Sequence, residues 1–276
     1  MSISELQACI ARLYIDDSFR KLFSIDAAGA IEDYQLSDDE RAAVIEIDQK
    51  MLRFFAASLI TKRRKKLERA YPMLFQVGGE LMDRYVQRYC QLYTLHRPHA
   101  TQQDIQDFGS FMEDTLATTE ESLPPYASQV AKFERLSYLV RSVTVAQGFS
   151  DQHHVNDAAP ESITVDDHPR LNDGVEIAFM SYDILKIQEA LEDGALGAPE
   201  SLRSDCATVF QPATDTTAFN LLSLNGPAKT VLSLCDGQHS VADIVAATEE
   251  ELGMQGLEPG VMNAITTLVN KQILTI

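Results

Sequence analysis

Apolar residues recur at helical spacing through most of the first half of the chain. Leu6, Ile10, Leu13 and Tyr14 form one stripe, and Phe19, Leu22 and Phe23 a shorter one. Ser37 and Glu40 have the spacing of a capping box, in which the hydroxyl takes the amide three residues on and the carboxylate reaches back. Asp38 and Asp39 suit the positive end of the same helix. Beyond it, Val44, Ile47, Met51, Phe54, Phe55, Ser58 and Leu59 mark one face of a long helix that runs to Tyr71, where Pro72 stops it. Pro72 can open the next helix, which carries Leu74, Val77, Leu81, Tyr85, Tyr89 and Leu92, with a soft spot at Gly78-Gly79. Thr101 and Asp104 are spaced to cap a helix bearing Ile105, Phe108, Phe111, Met112 and Leu116. Pro124-Pro125 precedes the last, with Val130, Phe133, Leu136, Leu139 and Val140. The pattern predicts an all-helical domain over residues 1–146.

Apolar residues thin out over 147–170, a stretch rich in Asp, His, Asn and Pro that reads as a linker. The period then changes. Val175 to Phe179 alternates as a half-buried strand. Ile184 to Leu191 fits a short helix. Cys206–Phe210 and Ala218–Leu222 read as two more strands, separated by the turn Pro212-Ala213-Thr214-Asp215. Three helices follow, around Val231, Ile244 and Ile265, and Ile273–Ile276 can close as a strand. Strands followed by three helices, with a tight turn between the first two, is winged helix-turn-helix order. The expected fold class is therefore α+β: a helical domain, then a small winged-helix domain over 171–276.

Composition supports a globular chain and the charge divides it. The 276 residues are 45% hydrophobic and 23% charged, which excludes collagen-like and largely disordered classes. The first 150 residues hold 18 basic and 21 acidic side chains, a net of −3, and the remaining 126 hold 5 and 20, a net of −15. So acidic a half repels a phosphate backbone and favours a basic partner or a lysine-bearing peptide. No apolar run has the length of a membrane span, and the first residues lack a basic and an apolar signal region, so a cytoplasmic protein is expected. Cys9, Cys90, Cys206 and Cys235 lie far apart with no Cys-x-x-Cys, which fits a reducing compartment.

Little in the sequence points to chemistry of the chain's own. His96 and His99 sit in a loop, and His153, His154 and His168 in the linker; neither set has metal-ligand spacing, so no metal site is expected. Nucleophile-elbow, Walker and dinucleotide fingerprints are absent. Cys235 ends an apolar helix, as a buried inert thiol would. Six cations fall within eight residues at 62–69. They either complement a helix end and line a solvated face or, through Lys62, Arg63, Arg64 and Lys66, dock an acidic protein surface.

Two resemblances sharpen this. The segment from Asn225 to Ile244 resembles the PqqD-like leader-peptide recognition elements of ribosomal-peptide (RiPP) biosynthesis. Their core is a hydrophobic helix ending in Leu-x-Asp-Gly, a short turn, then Thr/Ser-Val-x-Asp/Glu-Ile; here Leu234, Asp236, Gly237, Ser240, Val241, Asp243 and Ile244 match. In the first half, Arg12-Leu13-Tyr14-x-Asp16, Leu36 to Glu40, and Ser58-Leu59-x-x-Lys62-Arg63 before Pro72 resemble the partner proteins of multinuclear non-haem iron oxidative (MNIO) enzymes, such as those of methanobactin and 3-thiaglutamate biosynthesis.

The resemblances imply a non-catalytic subunit without a cofactor of its own. It would form a heterodimer with a TIM-barrel oxidase that carries the iron, bind the leader of a precursor peptide, and present a core Cys. In such elements the leader adds as a strand beside the third strand and packs on the last helix. That implies Ala218, Phe219, Asn220, Leu221 and Leu222, with Val261, Ala264, Ile265 and Leu268, as the peptide site. Strand addition draws affinity from backbone hydrogen bonds, so proline at Asn220 is expected to weaken binding. The alternative is a winged-helix transcriptional regulator with a helical sensor. The final helix, Val261 to Asn270, has no Lys or Arg, a poor basis for reading phosphate or guanine.

Overall fold

A computed structural model of the chain describes residues 3–93, 101–118, 123–146, 163–195, 198–213, 219–224 and 226–276. They form two compact units, Met1–Thr119 and Glu120–Ile276. The fold is α+β with a helical majority.

The described residues of the first unit form helices α1 (Ile3–Ile15), α2 (Asp17–Ile25), α3 (Ala27–Ala30), α4 (Asp38–Ile45), α5 (Gln49–Ala70), α6 (Pro72–Gly78), α7 (Leu81–Leu92) and α8 (Thr101–Thr118). Short polar side chains set the starts. The Asp16 carboxylate accepts from the Phe19 amide, and the Ser37–Glu40 capping box is closed in both directions. The long helix expected from Val44 to Tyr71 is broken once, where Asp48 caps α5 by accepting from the Lys50 and Met51 amides. The helix after Pro72 breaks at Gly79, whose φ of +50° suits glycine. Thr101 is already helical, and Asp104 is buried rather than reaching back to it.

Two cores hold this unit. Cys9, Leu13, Phe19, Phe23, Ile31, Val44 and Leu52 join α1 to the start of α5. Rings join the rest: Phe108 lies 5.3 Å from Tyr71 and 5.1 Å from Tyr89, and Tyr89 lies 5.4 Å from Phe111.

The described residues of the second unit begin before α9 (Ala127–Ala146) and continue through β1 (Arg170–Leu171), β2 (Glu176–Tyr182), α10 (Ile184–Glu192), β3 (Arg203–Pro212), β4 (Phe219–Leu224), α11 (Gly226–Ser233), α12 (Val241–Leu252), α13 (Glu258–Asn270) and β5 (Leu274–Thr275). β2, β3 and β4 make an antiparallel sheet in that order, and β1 pairs with β5. Ala207 and Val209 of β3 face a core with Val231, Leu232, Val241, Ile244, Val261, Ile265 and Leu268 of α11–α13. Phe210 points the other way and meets Phe133 of α9 at 5.4 Å. Both faces of the sheet are thus covered.

Two boundaries differ from expectation. The period of α9 assigns it to the helical domain ending at 146, yet it packs on the sheet and belongs to the second unit. Periodicity shows that a helix has an apolar face, not which surface covers it. The linker expected over 147–170 also ends early. Residues 147–162 lie outside the described residues, but the carbonyls of Val165 and Asp167 accept from the Ala242 and Val241 amides at 2.9 Å each, satisfying the open first turn of α12.

Candidate functional site

The backbone ladder decides what β4 can offer. It pairs with β3 in the register Pro212↔Phe219, Gln211↔Asn220, Phe210↔Leu221, Val209↔Leu222, Thr208↔Ser223 and Ala207↔Leu224. Pro212 has no N–H, so Pro212↔Phe219 cannot be a pair that exchanges two hydrogen bonds. In an antiparallel ladder exchanging and non-exchanging pairs alternate. The exchanging pairs are therefore Gln211↔Asn220, Val209↔Leu222 and Ala207↔Leu224. The amides and carbonyls of Phe219, Leu221 and Ser223 point away from β3, along the open edge. None of the three makes a hydrogen bond there to any described residue.

The opposite edge of the sheet is treated differently. On β2 the Ser181 amide donates to Oε1 of Gln129, from α9, at 2.8 Å. A side chain that occupies an edge amide blocks strand pairing at that point. Ile177 and Phe179 of β2 also face outward in this phase, so the β2 edge is blocked at Ser181 alone, while β4 is open along its whole described length.

Of the residues expected at the peptide site, some lie along this edge and others in the core. Asn220 donates its amide to the Gln211 carbonyl, inside the sheet, so proline there breaks the ladder rather than the edge. Leu222 packs on the core of α11–α13. Val261, Ile265 and Leu268 are core residues, with exposures of 4%, 0% and 4%. They are filled by their own neighbours, and Ala264 is half-buried. Phe219 and Leu221 keep partly exposed side chains on the α9 face of the edge, and Ala218 lies outside the described residues. Ser223, which faces outward on this edge, and Arg141 of α9, whose guanidinium carbon lies 4.7 Å from the centre of the Phe219 ring, are not among the expected residues. Finding them requires the ladder phase and the docking of α9, which residue types do not encode.

The Leu-x-Asp-Gly motif builds a turn. Oδ1 of Asp236 accepts from the Gln238 amide at 2.8 Å and the His239 amide at 3.2 Å, and lies 3.0 Å from Nδ1 of His239. Those bonds, the Gln238 amide first, hold the Asp236 carboxyl down at a pKa of about 2. Gly237 has φ +78°, and a Cβ there would meet Cβ of Arg170 at 3.3 Å. Ser240 and Asp243 close a second capping box, and Val241 and Ile244 are core. Each of these residues has a local folding role. Burial pushes the Cys235 thiol up to about 12, as expected of an inert cysteine.

The basic run on α5 also divides. Arg63 is buried with Asp104, the two forming an ion pair through Nη2 and Oδ1 while Nε lies 3.1 Å from both carboxylate oxygens. Nη1 donates to the Tyr93 carbonyl at 2.6 Å, and the guanidinium stacks 4.5 Å from the Tyr89 ring. The Tyr89 hydroxyl donates toward Asp104, 2.9 Å from Oδ1. Burial alone would lower the Arg63 pKa, but its hydrogen bond with Asp104 and nearby charges outweigh this and raise it. Arg64 pairs with Asp83 and Glu68. Arg63 and Arg64 are thus spent inside the unit, while Lys62 and Lys66 are exposed.

The face of α5 marked by its apolar period is not the buried one. Leu52, Ala56, Arg63 and Leu67 face inward, whereas Met51, Phe54, Phe55 and Leu59 are exposed, Phe54 to 66%. At 3.6 residues per turn these four align with Lys62, Lys66 and Arg69. An apolar strip running into a basic one on an exposed helix is unusual for a protein surface without a partner.

No protein-family model matches the chain. A curated protein of Methylococcus capsulatus described as a PqqA binding protein is 36% identical over 50 residues, 18% of this chain and 54% of that protein. The chain spans about half the length of the relative it matches. Among the described residues, no group of three His, Cys, Asp or Glu side chains is placed to hold a metal ion; His96, His99, His153 and His154 lie outside them. No helix among them is long and apolar enough to cross a membrane.

Proposed function

We propose that the chain is a non-catalytic subunit that binds the leader of a ribosomally made precursor peptide and presents the peptide to a separate iron-dependent oxidase. The observation that carries this is the open β4 edge at Phe219, Leu221 and Ser223, on the sheet against which the PqqD-like segment packs, while Gln129 occupies the Ser181 amide at one end of β2. Three outward residues offer a row of donors and acceptors, each bond worth roughly 0.5–1.5 kcal/mol net. The PqqD-like residues around Asp236 and the similarity to a protein described as binding PqqA support a peptide as the added strand. The sheet with α11–α13 and the β1–β5 ribbon is read as the winged helix of such elements.

In this reading the iron belongs to the oxidase, a TIM-barrel chain, and the helical unit is the part that docks on it. The exposed strip of Met51, Phe54, Phe55 and Leu59, continued by Lys62 and Lys66, supports that assignment in place of Arg63 and Arg64. Apolar area at the centre and cations at one end fit an acidic-rimmed apolar surface.

The test is fluorescence polarisation of the full chain with labelled peptides synthesised from the short reading frames that neighbour its gene. At least one peptide is expected to bind, and Leu221→Pro, folded by thermal melt, to weaken it tenfold or more. Failure of all such peptides to bind, or binding that Leu221→Pro leaves unchanged, overturns the reading. A duplex DNA control at 50 mM salt is expected to show no retention, and tight binding there favours the regulator instead.

A further inference from the structure

The helix α9 crosses the sheet from the β2 edge to the β4 edge. Its Gln129 meets β2, its Phe133 meets Phe210 on β3, and its Arg141 reaches β4. The Arg141 guanidinium carbon lies 4.7 Å from the centre of the Phe219 ring, which in turn stacks on Phe210 at 6.3 Å. Arg141 is exposed and makes no ion pair with a described residue. That is unusual where it stands, because residues 120–276 hold 23 acidic side chains against 8 basic ones. An arginine stacked on a ring presents its flat face to the ring and keeps its in-plane N–H donors for another group.

An added strand places alternate side chains on the α9 face of the edge, opposite Phe219, Leu221 and Ser223. On that face the first neighbour is the Arg141–Phe219 pair and the next, two residues along, is the partly buried Leu221. We propose that Arg141 and Phe219 form a subsite for a carboxylate side chain of the bound peptide, with an apolar side chain two positions away against Leu221. This rests on the strand-addition reading above and adds to it the chemistry that selects the sequence. A strongly acidic unit repels acidic peptides in general, so one placed cation makes an acid favourable at a single position and unfavourable elsewhere, which is selectivity rather than affinity.

The experiment is selection from a displayed library of random 12-residue peptides on the full-length protein, in wild type, Arg141→Glu and Leu221→Pro forms, each checked by thermal melt. Wild type is expected to enrich peptides with Asp or Glu two positions from Leu, Ile, Val or Phe. With Arg141→Glu the preference should reverse to Lys or Arg, and a wild-type binder should lose about tenfold in fluorescence polarisation and regain it when its acid is changed to Lys. Binders that Leu221→Pro abolishes but that tolerate Arg141→Glu, or an acid preference that persists in Arg141→Glu, overturn this inference alone. Binders indifferent to Leu221→Pro, or no enrichment, overturn the strand-addition reading and this inference with it.

Discussion

The helical unit leaves a face open, and the second unit leaves an edge. Along α5 the exposed Met51, Phe54, Phe55 and Leu59 offer apolar area with cations beyond it. In the second unit α9 and α11–α13 pack on the two sheet faces, and the row of backbone groups on β4 is left open along the edge. The two call for different partners. A face gains from any shape-matched apolar surface, at about 25 cal/mol per Å² removed from water, and its charges tune orientation. An edge gains from an extended backbone, with side chains deciding which sequence is kept. The proposed function uses both kinds of surface.

The largest effect expected on that contrast comes from the support beneath the exposed helix. Asp104→Ala leaves Arg63 buried without its carboxylate, which costs about 3–5 kcal/mol. Chemical denaturation followed by far-UV circular dichroism should show the helical unit losing stability by that order; a wild-type curve would mean that the pair does not hold α5 against α8.

Next are two adjacent prolines. Asn220→Pro removes an amide that bonds within the sheet, and should destabilise the second unit by about 1–3 kcal/mol. Leu221→Pro removes an amide from the open edge and should melt closer to wild type. Thermal melts of the two, side by side, read the ladder phase directly, and the opposite order would place the open groups on Asn220 and Leu222.

A smaller effect belongs to the Asp236 turn. Its carboxyl is depressed to about 2 in the folded chain, so its contribution is fully present above the ordinary carboxylate range near pH 4 and is lost as pH falls toward 2. Asp236→Asn should therefore melt below wild type at pH 6, and the gap should close on acidification. A gap that widens toward pH 2 would contradict the turn geometry.

The smallest expected change is in the strip itself. Phe54→Ser should alter stability by less than about 0.5 kcal/mol, as exposed positions do. A loss several times larger would show that this face is packed in the folded protein and is not free for a partner.

Much of this molecule was written locally. The Ser37–Glu40 and Ser240–Asp243 caps and the break at Gly79 follow from side chains acting on nearby backbone. The Leu-x-Asp-Gly resemblance located the right turn, because Asp236 and Gly237 shape it through neighbours within three residues. Other features depended on partners distant in sequence. Arg63 reads as one of six cations until Asp104, 41 residues on, claims it. The apolar period of α5 marked Met51, Phe54 and Phe55 correctly as a face, but burial is set by what packs against a helix, and Leu52, Ala56 and Leu67 took that place. Likewise α9 has the pattern of any core helix, and only the sheet face of Phe210 assigned it to the second unit. The open edge is the clearest case: the side chains of 219–224 are in the sequence, but which amides point outward follows from the ladder phase, fixed by Pro212 on the neighbouring strand.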